Sequence, residues 1–211
     1  MNKKKFVIID YDHGNLSSVR NALVREGCQV KITRDKSAIH SATHIILPGV
    51  GSFSSGMSVL KEHGLNEILS EEVLIKQKPI LGICLGMQFL CEASEEADEA
   101  QIKGFGWING WVKELNNTKD KVPHTGWNTI TRVKDSLILK DDDSSIISNK
   151  EHFYFVHSYA LEIDSSDTVF NCDYGGGFSA AVEKDNIFGV QFHPEKSQNP
   201  GCKIIKNFID I

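Results

Sequence analysis

The sequence predicts an α/β protein: a central, mostly parallel sheet flanked by helices, with antiparallel additions in its C-terminal half. Three observations predict it. Short β-rich apolar runs at Phe6–Ile9 and His44–Leu47 alternate with helical patterns, the order that gives parallel strands joined by right-handed crossovers. The run Ile80-Leu81-Gly82-Ile83 leads straight into Cys84 and Gly86, a strand-to-helix junction. From Gly110 onward, strand-like pieces separated by turns replace the alternation.

Phe6–Ile9 is continuously apolar, as a strand buried on both faces requires. It ends in the polar loop Asp10–Asn15, and a helix follows from about Ser17 to Glu26. Val19, Leu23 and Val24 mark that helix's inner face, and Gly27 stops it. Val30–Thr33 reads as a strand, Lys36–Ser41 as a short helix and His44–Leu47 as a third strand. Helices over Met57–His63 and Leu65–Gln77 precede the run at Ile80. The next helix, from Leu85, carries Gln88 and Cys91 and dissolves near Ser94, before a solvated acidic loop at Glu95–Glu99. Later strands are expected at Trp111–Leu115, Thr129–Val133, Phe153–Val156, Thr168–Cys172 and Ser179–Glu183. A hairpin turn at Lys184–Asn186 leads into Ile187–Phe192. Asn199 as cap and Pro200 at the first helical position open a last helix, whose Ile204, Ile205, Phe208 and Ile209 form a core-facing stripe. No linker or internal repeat interrupts the chain, so one domain over residues 1–211 is expected.

Composition removes several function classes. The 211 residues carry 23 Lys+Arg against 28 Asp+Glu, a net charge of −5, and no basic cluster exceeds Lys3–Lys5. Nucleic acid is therefore not an expected partner. The apolar stretch after Lys3–Lys5 is too short for a signal peptide, and nothing later approaches a membrane span, so a cytoplasmic location is expected. Five cysteines, scattered and without Cys-x-x-Cys, predict mostly buried reduced thiols rather than a disulfide framework or a zinc site. Gly175-Gly176-Gly177 has no Lys-Ser/Thr after it, which makes it a flexible turn rather than a phosphate loop.

The chemistry centres on Gly82-Ile83-Cys84-Leu85-Gly86, a cysteine counterpart of the Gly-x-Ser-x-Gly nucleophile elbow. The glycines relieve a strained turn that pushes the thiol out at the sheet's carboxyl edge. The following helix points its positive end at the sulfur and favours thiolate. Alone, the pattern fits a buried cysteine between loop glycines equally well. Two other stretches decide the matter. Pro48-Gly49-Val50-Gly51 ends a neighbouring strand, and its glycines let backbone amides turn inward as an oxyanion hole needs. His193-Pro194-Glu195 follows an apolar strand, and in extended backbone positions i and i+2 face the same way. Glu195 can then orient His193 as the base for Cys84, completing a nucleophile, base and orienter. Thiolate chemistry of this kind calls for no metal and no cofactor.

These residues carry a resemblance. Gly82–Gln88 with His193-Pro194-Glu195 is similar to the class I, triad-type glutamine amidotransferases. Within them the chain resembles the HisH family, the glutaminase subunit of imidazole glycerol phosphate synthase. Leu47–Gly51, Pro123-His124 with Gly126-Trp127-Asn128, and Tyr154–Tyr159 extend the likeness over nearly the whole chain. The resemblance implies a flavodoxin-like, nucleophile-elbow fold. It also implies that Cys84 attacks the side-chain amide of glutamine to give a glutamyl thioester and ammonia, with His193 and Glu195 completing the triad. The oxyanion would be met by the amide of Leu85 and one from Val50 or Gly51, after that peptide turns. Gly49, Gln88, Ser158 and Tyr159 would bind substrate. Asp12, His124 and Trp127 would lie toward a partner, a separate (β/α)8-barrel cyclase forming a heterodimer and receiving ammonia for histidine biosynthesis.

Asp12-His13 and Thr125 depart from the family pattern, where small residues and methionine are usual. A paralogous subunit that supplies ammonia for amidino groups on surface sugars keeps the same chemistry. A protease-like or chaperone-like cysteine protein of the elbow fold is disfavoured by Gln88 and His193-Pro194-Glu195. A non-catalytic scaffold is disfavoured by the complete triad. His157 reads as a satisfied, partly buried histidine.

Overall fold

The computed structural model describes residues 4–97, 102–115, 120–140, 151–162 and 164–211. Lys3 of the basic run and the end of the Glu95–Glu99 loop lie outside the described residues. An eight-stranded sheet runs through the molecule. Strand β1 (Lys5–Ile9) lies between β2 (Gln29–Thr33) and β3 (His44–Gly49), and β3 pairs with β4 (Ile80–Cys84), all parallel. On the other side of β4 comes β13 (Ile187–Val190), also parallel. The sheet then continues antiparallel through β12 (Phe178–Lys184), β11 (Thr168–Cys172) and β8 (Thr131–Arg132). A three-stranded sheet of β5 (Ala93–Ser94), β6 (Trp111–Glu114) and β10 (Tyr159–Leu161) stands beside it. So does the hairpin-like pair of β7 (His124–Asn128) and β9 (Phe153–His157). The fold is thus α/β with a mostly parallel centre and antiparallel additions, as expected.

The apolar runs explain the layering. Along β1, Phe6 and Ile8 pack with α1 (Leu16–Arg25) and α6 (Gln198–Ile209), while Val7 and Ile9 face α2 (Lys36–Ser41) and α3 (Phe53–Glu62). Successive side chains of a strand point to opposite faces, so a two-sided core demands this unbroken hydrophobicity. In α6, Ile204, Ile205 and Phe208 are buried, with Phe208 edge-on to Phe6, His44 and Phe188.

Several boundaries differ from the sequence expectation, each for a local reason. Val24 is 44% exposed, because a residue next to Leu23 turns about 100° away from the inner face. The run from Leu65 divides into α4 (Leu65–Ser70) and a π-helical turn, Glu71–Ile75, in which Glu72 is buried and paired with Lys76, Lys78 and His40. The helix after Cys84, α5 (Leu85–Leu90), stops at Leu90. Its last carbonyls are taken by another segment: Phe105 N–H donates to Phe89 O at 2.7 Å, and Trp107 and Ile108 N–H donate to Leu90 O at 2.9 Å. The strand expected over Thr129–Val133 is split, and β7 begins earlier at His124. At the chain's end, Ser197 rather than Asn199 holds the cap position, which puts Pro200 inside the first turn of α6, where its missing N–H has no helical partner to lose. Cys91 and Cys172 are buried, Cys28 is half-buried and Cys202 is exposed; all five cysteines are free thiols.

Phe208→Ala is expected to cost about 3–5 kcal/mol, because the ring's aromatic neighbours cannot close the space it leaves. Urea unfolding followed by fluorescence measures this; a loss under 1 kcal/mol would contradict the packing described.

Candidate active site

Strand register brings the separated motifs together. Gly49 on β3 lies opposite Cys84 on β4, and Val190 on β13 lies opposite Ile83. The chain leaving β13 therefore carries Gln191 to the level of Cys84 and His193 just beyond it. Sites gather at the carboxyl ends of parallel strands for this reason.

Cys84 sits at the junction of β4 and α5 with φ 54° and ψ −114°, a backbone conformation that side-chain-bearing residues rarely adopt. The turn closes because its flanks have no side chains. A Cβ on Gly82 would stand 2.8 Å from Met87 Cα, and one on Gly86 would collide with the carbonyl oxygen of Leu47. The thiol is nearly buried, 6% exposed. Its sulfur lies 3.8 Å from the carbonyl oxygen of Val156 and accepts from Gln191 Nε2 at 3.7 Å.

His193 is held from three directions. Its N–H donates to Tyr154 O at 2.9 Å, its carbonyl accepts from Ser197 Oγ at 2.6 Å, and Tyr154 N–H donates back to that hydroxyl at 3.0 Å. Nδ1 meets Glu195 Oε1 at 2.9 Å, with both side chains almost wholly buried. The contact arises differently from the extended spacing expected. His193 is extended, but Pro194–Lys196 form a 3₁₀ turn, which the fixed φ of Pro194 favours, and this turn curls Glu195 back. Burial alone would lower the basicity of His193. Its contacts with Cys84 and Glu195 outweigh that and push it up to about 9. Nε2, the ring's other nitrogen, makes no hydrogen bond among the described residues.

A cavity of about 310 Å³ opens over the sulfur. Cys84, Leu85, Gln88 and His193 line one side, Val50 and Gly51 a second, and Ser158 and Tyr159 a third. Gly49 lies behind, at the end of β3, where a Cβ would come within 2.9 Å of the Gly86 nitrogen. Gly51 has φ +100° and Val50 is largely exposed, so this loop lies at the cavity mouth. Glu195 stands behind His193.

One carbonyl organises the polar groups around the cavity. Tyr159 O accepts from Gln88 Nε2 at 2.8 Å and from His157 Nδ1 at 3.0 Å. A carbonyl can only accept, so Gln88 presents its nitrogen there, and the same nitrogen donates to Gln191 Oε1 at 3.1 Å. Both Gln88 amide hydrogens are thus used within the protein, which leaves its carbonyl oxygen for a ligand. With Nδ1 of His157 donating, its Nε2 must accept from His124 Nδ1, 3.1 Å away. Burial lowers His157 to about 3 and His124 to about 4, so both rings are neutral. His157 is therefore satisfied and buried, as expected. His124, expected toward a partner, is only 3% exposed and stacks on Tyr174 at 3.8 Å, because β7 points it inward opposite His157. Trp127, three residues on and on the strand's opposite face, is 47% exposed and edge-on to Tyr154. Asp12 is exposed and paired with Arg34 and with His63 at 3.3 Å. Arg34 first, then His63, holds its carboxyl below the usual range.

Sequence reasoning missed Glu96, which it placed in a solvated loop. Glu96 lines the cavity, and its Oε2 accepts from Phe53 N–H at 2.8 Å at the start of α3. No local pattern marks it, because the loop is carried there by α5 and β5. The sequence places Gln191 in the strand Ile187–Phe192, and its contact with the sulfur depends on the β13–β4 register. Among the described residues, His40, Glu71 and Glu72 are grouped as metal ligands could be, but Lys76 and Lys78 already pair with Glu72.

The ion-pair geometry sets a sign. A histidine raised from 6.5 to about 9 stabilises the folded state below pH 6.5, and that contribution is lost as pH rises through 9. NMR titration of the His193 ring should show a midpoint near 9, lowered in Glu195→Gln and in Cys84→Ala. An ordinary histidine midpoint in the unaltered protein would contradict the arrangement.

The family model "Glutamine amidotransferase class-I" matches residues 7–211. Imidazole glycerol phosphate synthase subunit HisH 2 of Pseudomonas aeruginosa is 44% identical over 207 residues, covering 97% of this chain and 98% of the relative. The protein of the same name from Methanococcus maripaludis is 47% identical over 204 residues, covering 96% and 97%. Among solved structures, PurLQS from Thermotoga maritima aligns with a TM-score of 0.73 at 20% identity, over 99% of this chain and 98% of that one, a likeness of fold. With its elbow, its cavity and these full-length matches, the chain belongs to the class-I glutamine amidotransferase family and, within it, to the HisH group.

Proposed function

We propose that this protein is the glutaminase subunit of imidazole glycerol phosphate synthase, hydrolysing glutamine to glutamate and ammonia. It works as a heterodimer with a separate (β/α)8-barrel cyclase, to which the ammonia passes. The observation that carries the reading is Cys84, His193 and Glu195 meeting at one cavity in a chain matched end to end by HisH subunits.

The sulfur of Cys84 attacks the side-chain carbonyl carbon of glutamine, and its proton resides on His193. The negative oxygen that develops is met by the Leu85 amide at the start of α5 and by an amide of the Val50–Gly51 loop once that peptide turns. His193 then gives its proton to the departing nitrogen, the carbon–nitrogen bond breaks, and a glutamyl thioester and ammonia result. Water adds to the thioester with His193 taking its proton. The carbon–sulfur bond breaks, glutamate leaves, and the proton returns to the Cys84–His193 pair. Glu195 keeps Nδ1 bonded, so Nε2 faces the sulfur throughout. The carboxylate of Glu96 and the carbonyl of Gln88 suit the α-ammonium group of an amino acid, and the backbone at Ser158–Tyr159 suits its polar main-chain atoms. Gly49 serves by letting β3 approach α5. Trp127 and Asp12 are both exposed and so are open to contact with the cyclase. The 1–211 chain acts as one amidotransferase domain.

A second reading changes the acceptor. Asp12, His13 and Thr125 depart from the family pattern, and several relatives bear the name HisH 2. Such a subunit is free to supply ammonia for amidino groups on surface sugars.

Cys84→Ala should lower glutamine hydrolysis by about a thousandfold or more, measured as glutamate release, while leaving cyclase binding and ammonia-driven synthesis intact. Residual hydrolysis near the unaltered level would remove Cys84 as nucleophile. Hydrolysis by the chain alone should be slow and rise when the barrel cyclase and its nucleotide substrate are added. No rise with that cyclase, and a rise with a sugar-amidating synthase, would favour the second reading.

A further inference from the structure

Gln191 is fully buried, yet the triad makes no use of it. Its side chain reaches across from the end of β13 and stands with Nε2 3.7 Å from the Cys84 sulfur. Which of its two amide atoms faces the sulfur is fixed by its neighbours. Gln88 must present nitrogen to the Tyr159 carbonyl, and that nitrogen also meets Gln191 at 3.1 Å, so Gln191 presents oxygen there. The NH2 of Gln191 is therefore turned to the sulfur.

A hydrogen bond to a charged acceptor is worth more than one to a neutral acceptor, and more again where water is excluded. The sulfur passes through such a charged form, and Cys84 is nearly buried. The carbonyl of Val156, 3.8 Å from the sulfur, favours the protonated thiol instead. His193 faces the sulfur as the cationic partner, and Glu195 lies behind that ring. Gln191 is the neutral donor that balances Val156 without adding charge to the cavity.

We propose that Gln191 is a further catalytic residue, an amide donor that holds the Cys84 sulfur as thiolate and aims it into the cavity, with Gln88 fixing the donor's orientation. The inference deepens the glutaminase reading and rests on Cys84 as the reacting thiol. The thioester forms as the sulfur shares its electron pair with carbon, and the Gln191 hydrogen bond weakens as that charge is lost. The donor therefore favours the resting thiolate and the sulfur's departure in the second half-reaction.

Alkylation by iodoacetamide, read peptide by peptide in a mass spectrometer, tests this without glutamine or a partner. Gln191→Met keeps length and apolar volume but removes the donor. It should slow alkylation of Cys84 about threefold to tenfold at pH 7, with exposed Cys202 unchanged and buried Cys91 and Cys172 still protected. Gln191→Glu, which sets a carboxylate against the sulfur, should slow Cys84 further. A loosened structure would do the reverse, exposing Cys91 and Cys172 and speeding Cys84. Unchanged or faster alkylation of Cys84 in both variants overturns the assignment. In the complex with the cyclase, Gln191→Met should lower kcat for glutamine while KM stays within about twofold, because Gln88 keeps its bond to Tyr159. A rise in KM at constant kcat would make Gln191 a substrate-shaping residue and overturn the proposal. Failure of glutaminase activity in the unaltered complex, with alkylation as expected, would sink the functional reading and leave the sulfur contact standing.

Discussion

The backbone at Cys84 has to be held in a conformation that costs about 1–3 kcal/mol in isolation, and the packing around it supplies that hold. Leu47 and Gly49 on β3 press against Gly86 from one side, while Gly82 and Gly189 let Met87 and its neighbours lie flat against β4 and β13. A methyl group at Gly49, Gly82 or Gly86 would meet backbone atoms and push α5 off the sheet. The close approach has two consequences. It projects the sulfur beyond the strand's end, and it brings the Pro48–Gly51 loop to the first turn of α5. Cavity, nucleophile and anion-facing amides thus descend from one steric requirement.

The sheet's strand order does the second part of the positioning. Because β13 pairs in parallel with β4, residues more than a hundred positions apart in sequence reach the same height. The loop after β13 is then pinned through Tyr154 and Ser197, so His193 is fixed by main-chain bonds before its ring meets any partner. Rigid strands and short pinned loops hold such a constellation better than long mobile ones.

Local chemistry was legible in the sequence, and tertiary chemistry was not. The elbow announces itself because a strand, two glycines and a cysteine must be contiguous to make it. His193 and Glu195 are readable because their contact spans two residues, even though a 3₁₀ turn rather than an extended chain delivers it. The parallel strands are readable from unbroken apolar runs such as Phe6–Ile9. Gln191 and the His124–His157 pair carry no local mark, since strand register brings each to its partner, and Glu96 carries none because its loop is delivered by α5 and β5. The error at the end of α5 has a tertiary cause. Carbonyls at the end of α5 are claimed by the 105–108 segment, a competition that no window of sequence contains.

Three histidines lie close together here, and electrostatics gives them different states. His157 and His124 are driven neutral first by burial, and His157 further by the nearby positive charge on His193. Their tautomers then follow from a single acceptor, Tyr159 O, which obliges each ring to donate in one direction. His193 is buried as well, but it faces a carboxylate on one side and a sulfur on the other, and so it takes the positive charge. The neutral pair therefore leaves the sulfur's field to His193, with His157 forming part of the cavity wall. That division explains how a histidine-rich site directs a single proton.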